Sequence, residues 1–245
     1  MNIYPLAKYF FFETFRLTAF KAFLFFIAFY ALLNVAGALP ASLNDHRGFI
    51  FTSVFLFGVV GTSGIVPEML QKGKIELFLS RPFSRALLIG GLFIGAATVI
   101  LLCSNLFTLA LWLTQGLKVG DWNPLFLTHG SILGIAFIPL LCYIILLGLI
   151  SRNTGFVIIV VTAYLVFLSP KVEGRDLLLN PNQTFLLRLL DMLYFVLPQP
   201  LTGIYLNLAR FFSGKDLSIL PFITSIGSGM VALYYSIRFF RRMDF

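Results

Sequence analysis

Six stretches free of Asp, Glu, Lys and Arg are read as spans: residues 22–44, 48–67, 86–117, 122–151, 153–170 and 217–237. A helix needs about 20 apolar residues to cross a ~30 Å hydrocarbon core, and each run is close to or above that length. The two longest, 86–117 and 122–151, have room for one span each plus an apolar margin, and not for two spans with a turn. The pattern predicts an all-α integral membrane protein with six transmembrane helices in a single transmembrane domain, 1–245. Its spans are placed at 22–44, 48–67, 87–113, 129–150, 153–169 and 218–238.

Between the apolar runs the pattern changes. In "YPLAKYFFFETFRLTAFK", residues 4–21, Lys8, Glu13 and Arg16 fall within an arc of about 140° at 100° per residue, with Phe10, Phe11 and Phe15 mainly elsewhere. Such a segment can lie along the membrane interface with its charges toward the headgroups. Lys8, Arg16 and Lys21, and at the other terminus Arg241 and Arg242, are the expected interfacial anchors. Residues 170–216 form the one sizeable region outside the membrane. Their apolar part, "TFLLRLLDMLYFVLPQPLTGIYLNLARFF", is interrupted by Arg188, Asp191 and the Pro198–Pro200 break. Two short helices joined at "LPQP" fit better than a seventh span, and Arg188 and Asp191, three residues apart, can pair on one face. These four residues are candidates for a gate or for a surface that holds an extracytoplasmic protein.

Composition agrees with the pattern. The chain is 59% hydrophobic and 11% charged, where soluble domains carry about 25% charged residues. Its 29 Phe leave no polar coat for a water-soluble globule. Ala36 and Ala38 resemble a signal-peptidase site, but the charged head before them runs to Lys21, long for a signal peptide, so the first run is read as a span. Cys103 and Cys142 fall inside predicted spans, where a thiol is a small apolar packing residue, and no zinc-type spacing is present.

Six spans alternate the connections between two sides. One side holds Lys8, Arg16, Lys21, Lys72, Lys74, Arg81, Arg85, Arg152, Arg238, Arg241 and Arg242, eleven of the eighteen basic residues; with its four acids it nets +7, against +1 on the other. Lys and Arg concentrate on the cytoplasmic side, so both termini are expected in the cytoplasm. Because the bases flank spans instead of forming a soluble patch, the net charge of +8 points to anionic membrane lipids and not to nucleic acid.

Missing chemistry narrows the function. The Gly73–Lys74 and Gly214–Lys215 pairs lack the leading glycine and following hydroxyl of a phosphate-binding loop, and no HExxH occurs. His46 lies in the short "PASLNDHRG" turn and His129 at the outer end of the fourth span. Ion-coupled carriers and pumps place ionisable residues within their helices, and these six runs have almost none. No catalytic residue, metal site or resident cofactor is expected, and energy for transport would come from elsewhere.

The charge excluded from the spans gathers in "PEMLQKGKIELFLSRPFSR", 67–85. Ile75, Phe78 and Leu79 share one helical face, Glu76 and Ser80 point elsewhere, and Pro82 stops the helix. A short amphipathic helix held between two spans can dock in a partner's groove. The ordered residues Glu68, Gly73, Glu76, Leu77, Phe78, Leu79, Ser80, Pro82, Ser84 and Arg85 resemble the segment between spans two and three of the ABC-2 type permease family, the membrane subunits of many ATP-binding-cassette exporters. The C-terminal "RFFRRMDF" resembles that family's aromatic and basic ending. Where the family often has Gly-Lys at the start of span three, this chain has Gly90–Gly91.

The resemblance implies a permease that pairs with a second copy or a related permease and with two ABC ATPase subunits. ATP and Mg would be bound by those partners. It further implies a bacterial inner-membrane location and assigns ATPase coupling to Glu68, Gly73, Lys74, Ile75, Glu76, Phe78, Leu79, Ser80, Arg81 and Pro82. The competing expectation is a non-transporting membrane scaffold or assembly factor that docks an extracytoplasmic partner through 170–216.

Overall fold

The computed structural model describes residues 3–38, 47–71, 74–80, 83–120, 122–165, 204–212 and 219–243, with isolated positions 188, 192 and 197–199. The described residues are helical and include no strand. In chain order the helices are α1 (Tyr4–Arg16), α2 (Thr18–Val35), α3 (Arg47–Ser63), α4 (Ile65–Met69), α5 (Lys74–Leu79), α6 (Arg85–Val119), α7 (Leu125–Ser151), α8 (Thr154–Ala163), α9 (Asn207–Phe212) and α10 (Ile219–Arg242).

Three described helices are long and apolar enough to cross a membrane: Phe49–Met69, Arg85–Val119 and Leu125–Ser151. A fourth is added if α1 and α2 count as one bent span; their axes diverge by 62°. These lengths make the protein a membrane protein. Of the expected fifth span the helix Thr154–Ala163 is described, 10 residues long, and residues 166–169 lie outside the described residues. The expected sixth span coincides with α10, 24 residues, which is amphipathic and not among the helices that qualify by length and apolarity.

Local chemistry explains several ends. The expected interfacial helix reaches to 21, but Leu17 takes an extended conformation, φ −57° and ψ 138°, and ends α1 at Arg16. α6 overruns its predicted span at both ends. Ser84 caps its start by accepting a hydrogen bond from the Leu87 amide, and Gly120, at φ 77°, ends it in the left-handed region that glycine enters without penalty. α7 ends at Arg152, φ 54°, and Asn153 at once caps α8 by accepting from the Phe156 amide at 3.1 Å.

α6 and α7 form the centre, packed antiparallel, with Gly130 against Ser104 and Asn105 and Gly134 against Leu101. α3 runs parallel to α7, since Gly58 meets Phe137 and Gly148 meets Val66. α10 also runs parallel to α7, its Gly229 seated on Pro139. α1 and α2 together follow α6, from Leu6 on Gly91 to the Asn34–Thr114 hydrogen bond of 2.8 Å. α8 runs against α3, with Thr154 near Gly64 and Thr162 near Phe51 and Phe55. Helices approach closely in these bundles where small residues remove side-chain bulk, and glycines mark most of the crossings here. Phe23, Phe26, Tyr30 and Phe107 form a ring cluster between α2 and α6, and Phe55 meets Phe137 edge-on between α3 and α7.

Candidate functional site

The directions of the helices bring α1, α4, α5, the starts of α6 and α8, and the ends of α7 and α10 to one end of the bundle. The segment singled out by the sequence lies there. α5 is six residues long, far too short to persist alone in water; its neighbours hold it. Phe78 is buried, with its ring stacked on Phe10 at 5.6 Å and edge-on to Tyr9 at 5.3 Å. Ile75 is buried as well. The Lys74 ammonium stands 3.9 Å from the Glu68 carboxylate of α4; both side chains are exposed, so the pair orients more than it stabilises.

Beneath Phe78 lies a cavity of about 20 Å³ bordered by Tyr9, Phe10, Glu13, Glu68, Met69 and Lys74. Tyr9 donates to Glu13 Oε1 at 3.0 Å. Partial burial, and after it the bond to Glu13, raises the Tyr9 pKa, so the phenol stays protonated and remains a donor.

The coupling candidates therefore divide. Phe78 faces inward and fastens α5 to α1, and Ile75 is buried; Lys74, Glu76 and Ser80 are exposed and form the surface a partner would meet. Leu79 belongs to α5, and its side chain, like Gly73, Arg81 and Pro82, lies outside the described residues. The last two residues of the motif have clear work inside the chain. Ser84 caps α6, and Arg85 Nη1 donates to the carbonyls of Met243 at 2.6 Å and Arg241 at 2.9 Å, with a longer approach to Phe240 at 3.4 Å. A guanidinium across these last carbonyls satisfies acceptors that a helix end leaves open and ties α6 to the C-terminal segment.

The anchor candidates Lys8, Arg16, Lys21, Arg241 and Arg242 are all exposed. Of the extracytoplasmic candidates, Arg188 is exposed and helical, and Asp191 and Pro200 lie outside the described residues. Pro198 is buried; its carbonyl accepts from the Tyr164 hydroxyl, and the next amide, Gln199 N–H, donates to Ser225 Oγ at 3.0 Å. His129 is buried, its Nδ1 3.4 Å from the Tyr205 hydroxyl. Among the described residues no three His, Cys, Asp or Glu gather to hold a metal.

Sequence reasoning missed α1 as the seat of α5. Phe10 reads as part of the apolar side of an interfacial helix and Tyr9 as an intrusion on its polar arc, and nothing local connects either with Phe78, almost seventy positions later. Physically, a load on the exposed face of α5 passes to α1 through the Phe78 rings and to α3 through α4. No family model matches the chain, and no curated protein does.

Proposed function

We propose that this chain is the six-span permease subunit of an ABC-2 type transporter, with α5 as its coupling helix. Both termini face the cytoplasm of a bacterial cell, and the chain sits in the inner membrane. It pairs with a second permease, a copy or a relative, and with two ATPase subunits that supply ATP and Mg. Closure of the ATPases presses on Lys74, Glu76 and Ser80. The bundle end then moves as a unit, and a path opens between the two permeases or a mechanical signal crosses the membrane. The segment 170–216 covers the far side.

One observation carries this reading: a short charged helix is clamped by buried rings at the bundle end that holds both chain termini, while its polar face stays open. The alternating directions of α2, α3, α6, α7, α8 and α10 are those six sequential crossings require. The motif residues Ser84 and Arg85 add support by fixing the start of α6.

The test is purification of the intact protein from its own membranes. An ATP-hydrolysing subunit in equal amount is expected, its activity raised by the permease. Reversing the exposed charges, Lys74→Glu with Glu76→Lys, is expected to abolish that stimulation while the protein still inserts. A protein that inserts and folds, carries no nucleotide hydrolase and is indifferent to the charge reversal sinks the proposal and leaves the scaffold reading.

A further inference from the structure

Along the ends of α7 and α10 runs a groove of about 330 Å³, lined by Leu146 and Ile150 on one wall and Tyr235, Arg238, Phe239 and Arg242 on the other. Its size is at the lower end of ligand clefts, about 300–1,000 Å³. The two helices run parallel here, so the groove has a direction. Leu146 and Tyr235 lie toward the middle of the bundle, and Ile150 and Arg242 lie at the end that holds the termini. Arg238 and Arg242, one turn apart, share a face with Tyr235 and Phe239. The groove is thus apolar at depth and doubly cationic at its mouth, and no acid is among its lining residues. Both arginines are exposed. Arg85 holds the backbone on either side of Arg242 through the Arg241 and Met243 carbonyls.

We infer that this groove binds an anionic phospholipid from the adjoining leaflet, with its phosphate between Arg238 and Arg242 and an acyl chain along Leu146, Ile150 and Phe239. Guanidinium groups pair with phosphate oxygens in a planar, two-point manner, and an acyl chain is the one apolar ligand abundant at that depth. A zwitterionic lipid would fill the same walls but sets a cationic headgroup beside two arginines. The inference rests on the membrane setting alone and not on the transport proposal.

The test uses the full chain in detergent, with lipid retention read by native mass spectrometry and thermal midpoint against added phosphatidylglycerol, phosphatidylcholine or inorganic phosphate. The expected result is selective retention and stabilisation by phosphatidylglycerol. Arg238→Gln with Arg242→Gln is expected to lower that preference by about tenfold or more, a cationic residue near anionic lipid contributing about 1 kcal/mol. Lys118→Gln, at the far end of α6 from the groove, keeps the preference. Ile150→Trp, which fills the apolar wall and spares both arginines, is expected to reduce retention of phosphatidylglycerol as well. Equal retention of both lipids, an unchanged preference in the double variant, or the same stabilisation by inorganic phosphate alone overturns the inference.

Discussion

A methyl group at Gly95 has nowhere to go. A Cβ there would stand 2.7 Å from the Phe11 amide nitrogen, 2.8 Å from the Ala7 carbonyl oxygen and 2.9 Å from the Phe10 carbonyl carbon. All three are backbone atoms, so no rotamer change relieves the contact, and α1 would have to lift from α6. Gly95→Ala is expected to cost about 1–3 kcal/mol. Gly227 is the internal control, since a Cβ there meets nothing within 4 Å, and Gly227→Ala is expected to be neutral or to stabilise by up to ~1 kcal/mol. Thermal unfolding of the detergent-solubilised variants separates the two; equal midpoints would remove the close approach as a determinant. Gly91 and Gly95 also show what was legible at single positions. Gly91 stands in the sequence only as half of the Gly90–Gly91 departure from a Gly-Lys pattern and Gly95 is unmarked there; only the approach of α1 reveals what the two small residues do. Arg85 is a similar case, visible as the end of a motif while its acceptors lie some 155 positions away. Arg85→Gln is expected to cost about 1 kcal/mol, below the usual range for charged hydrogen bonds because the site is partly wet. Faster amide exchange in 238–243 is the measurement, and Arg85→Lys should recover part of the loss.

Helix α5 shows how far periodicity reaches. Spacing places Ile75 and Phe78 on one face, but it cannot say whether that face meets a partner or the same chain; both are buried within this chain, Phe78 against α1. The amphipathic character of α1 was readable because its buried residues Leu6, Phe10 and Thr14 recur at four-residue intervals. Its end was not readable: a break at Leu17 comes from one ψ angle, with no proline or glycine to announce it. α6 runs past the predicted span because Thr114 and Gln115, the two residues after its predicted end, are accommodated, Thr114 accepting from Asn34 at 2.8 Å and Gln115 buried. The clamp on α5 is testable on its own. Phe78→Ala removes two ring contacts worth about 0.5–1.5 kcal/mol each beyond their buried area. What then holds α5 is buried Ile75 and the exposed Lys74–Glu68 pair, so amide exchange across 74–80 is expected to rise at least tenfold, with exchange in α6 and α7 unchanged. Equal acceleration in α6 and α7 would mean that α5 is part of the core and not a separately fastened element.

Across the assembled bundle the sequence was most informative about class and least about counting. Absence of charge over long runs marked the membrane helices because hydrocarbon tolerates few ions. Whether α8 and α10 cross is harder to read. α10 turns Ser225, Ser228, Ala232 and Ser236 inward and Ile223, Met230, Val231 and Tyr235 outward, a pattern that lowers its apolar signal while suiting a helix packed through small residues in lipid. The direction of each helix is set by its contacts, and that makes the question testable. If every crossing is complete, Ser80 and Arg241 lie on one side of the membrane and Val119, the last residue of α6, on the other. The native thiols Cys103 and Cys142 are buried, so single-cysteine variants start from a silent background. Ser80→Cys and Arg241→Cys are expected to react with a membrane-impermeant maleimide from the same side of sealed vesicles. Val119→Cys, exposed in the fold, is expected to react only from the opposite side. Reaction of positions 80 and 119 from a common side would mean that α6 does not cross, and the alternation on which the proposed cytoplasmic position of α5 depends would fall with it.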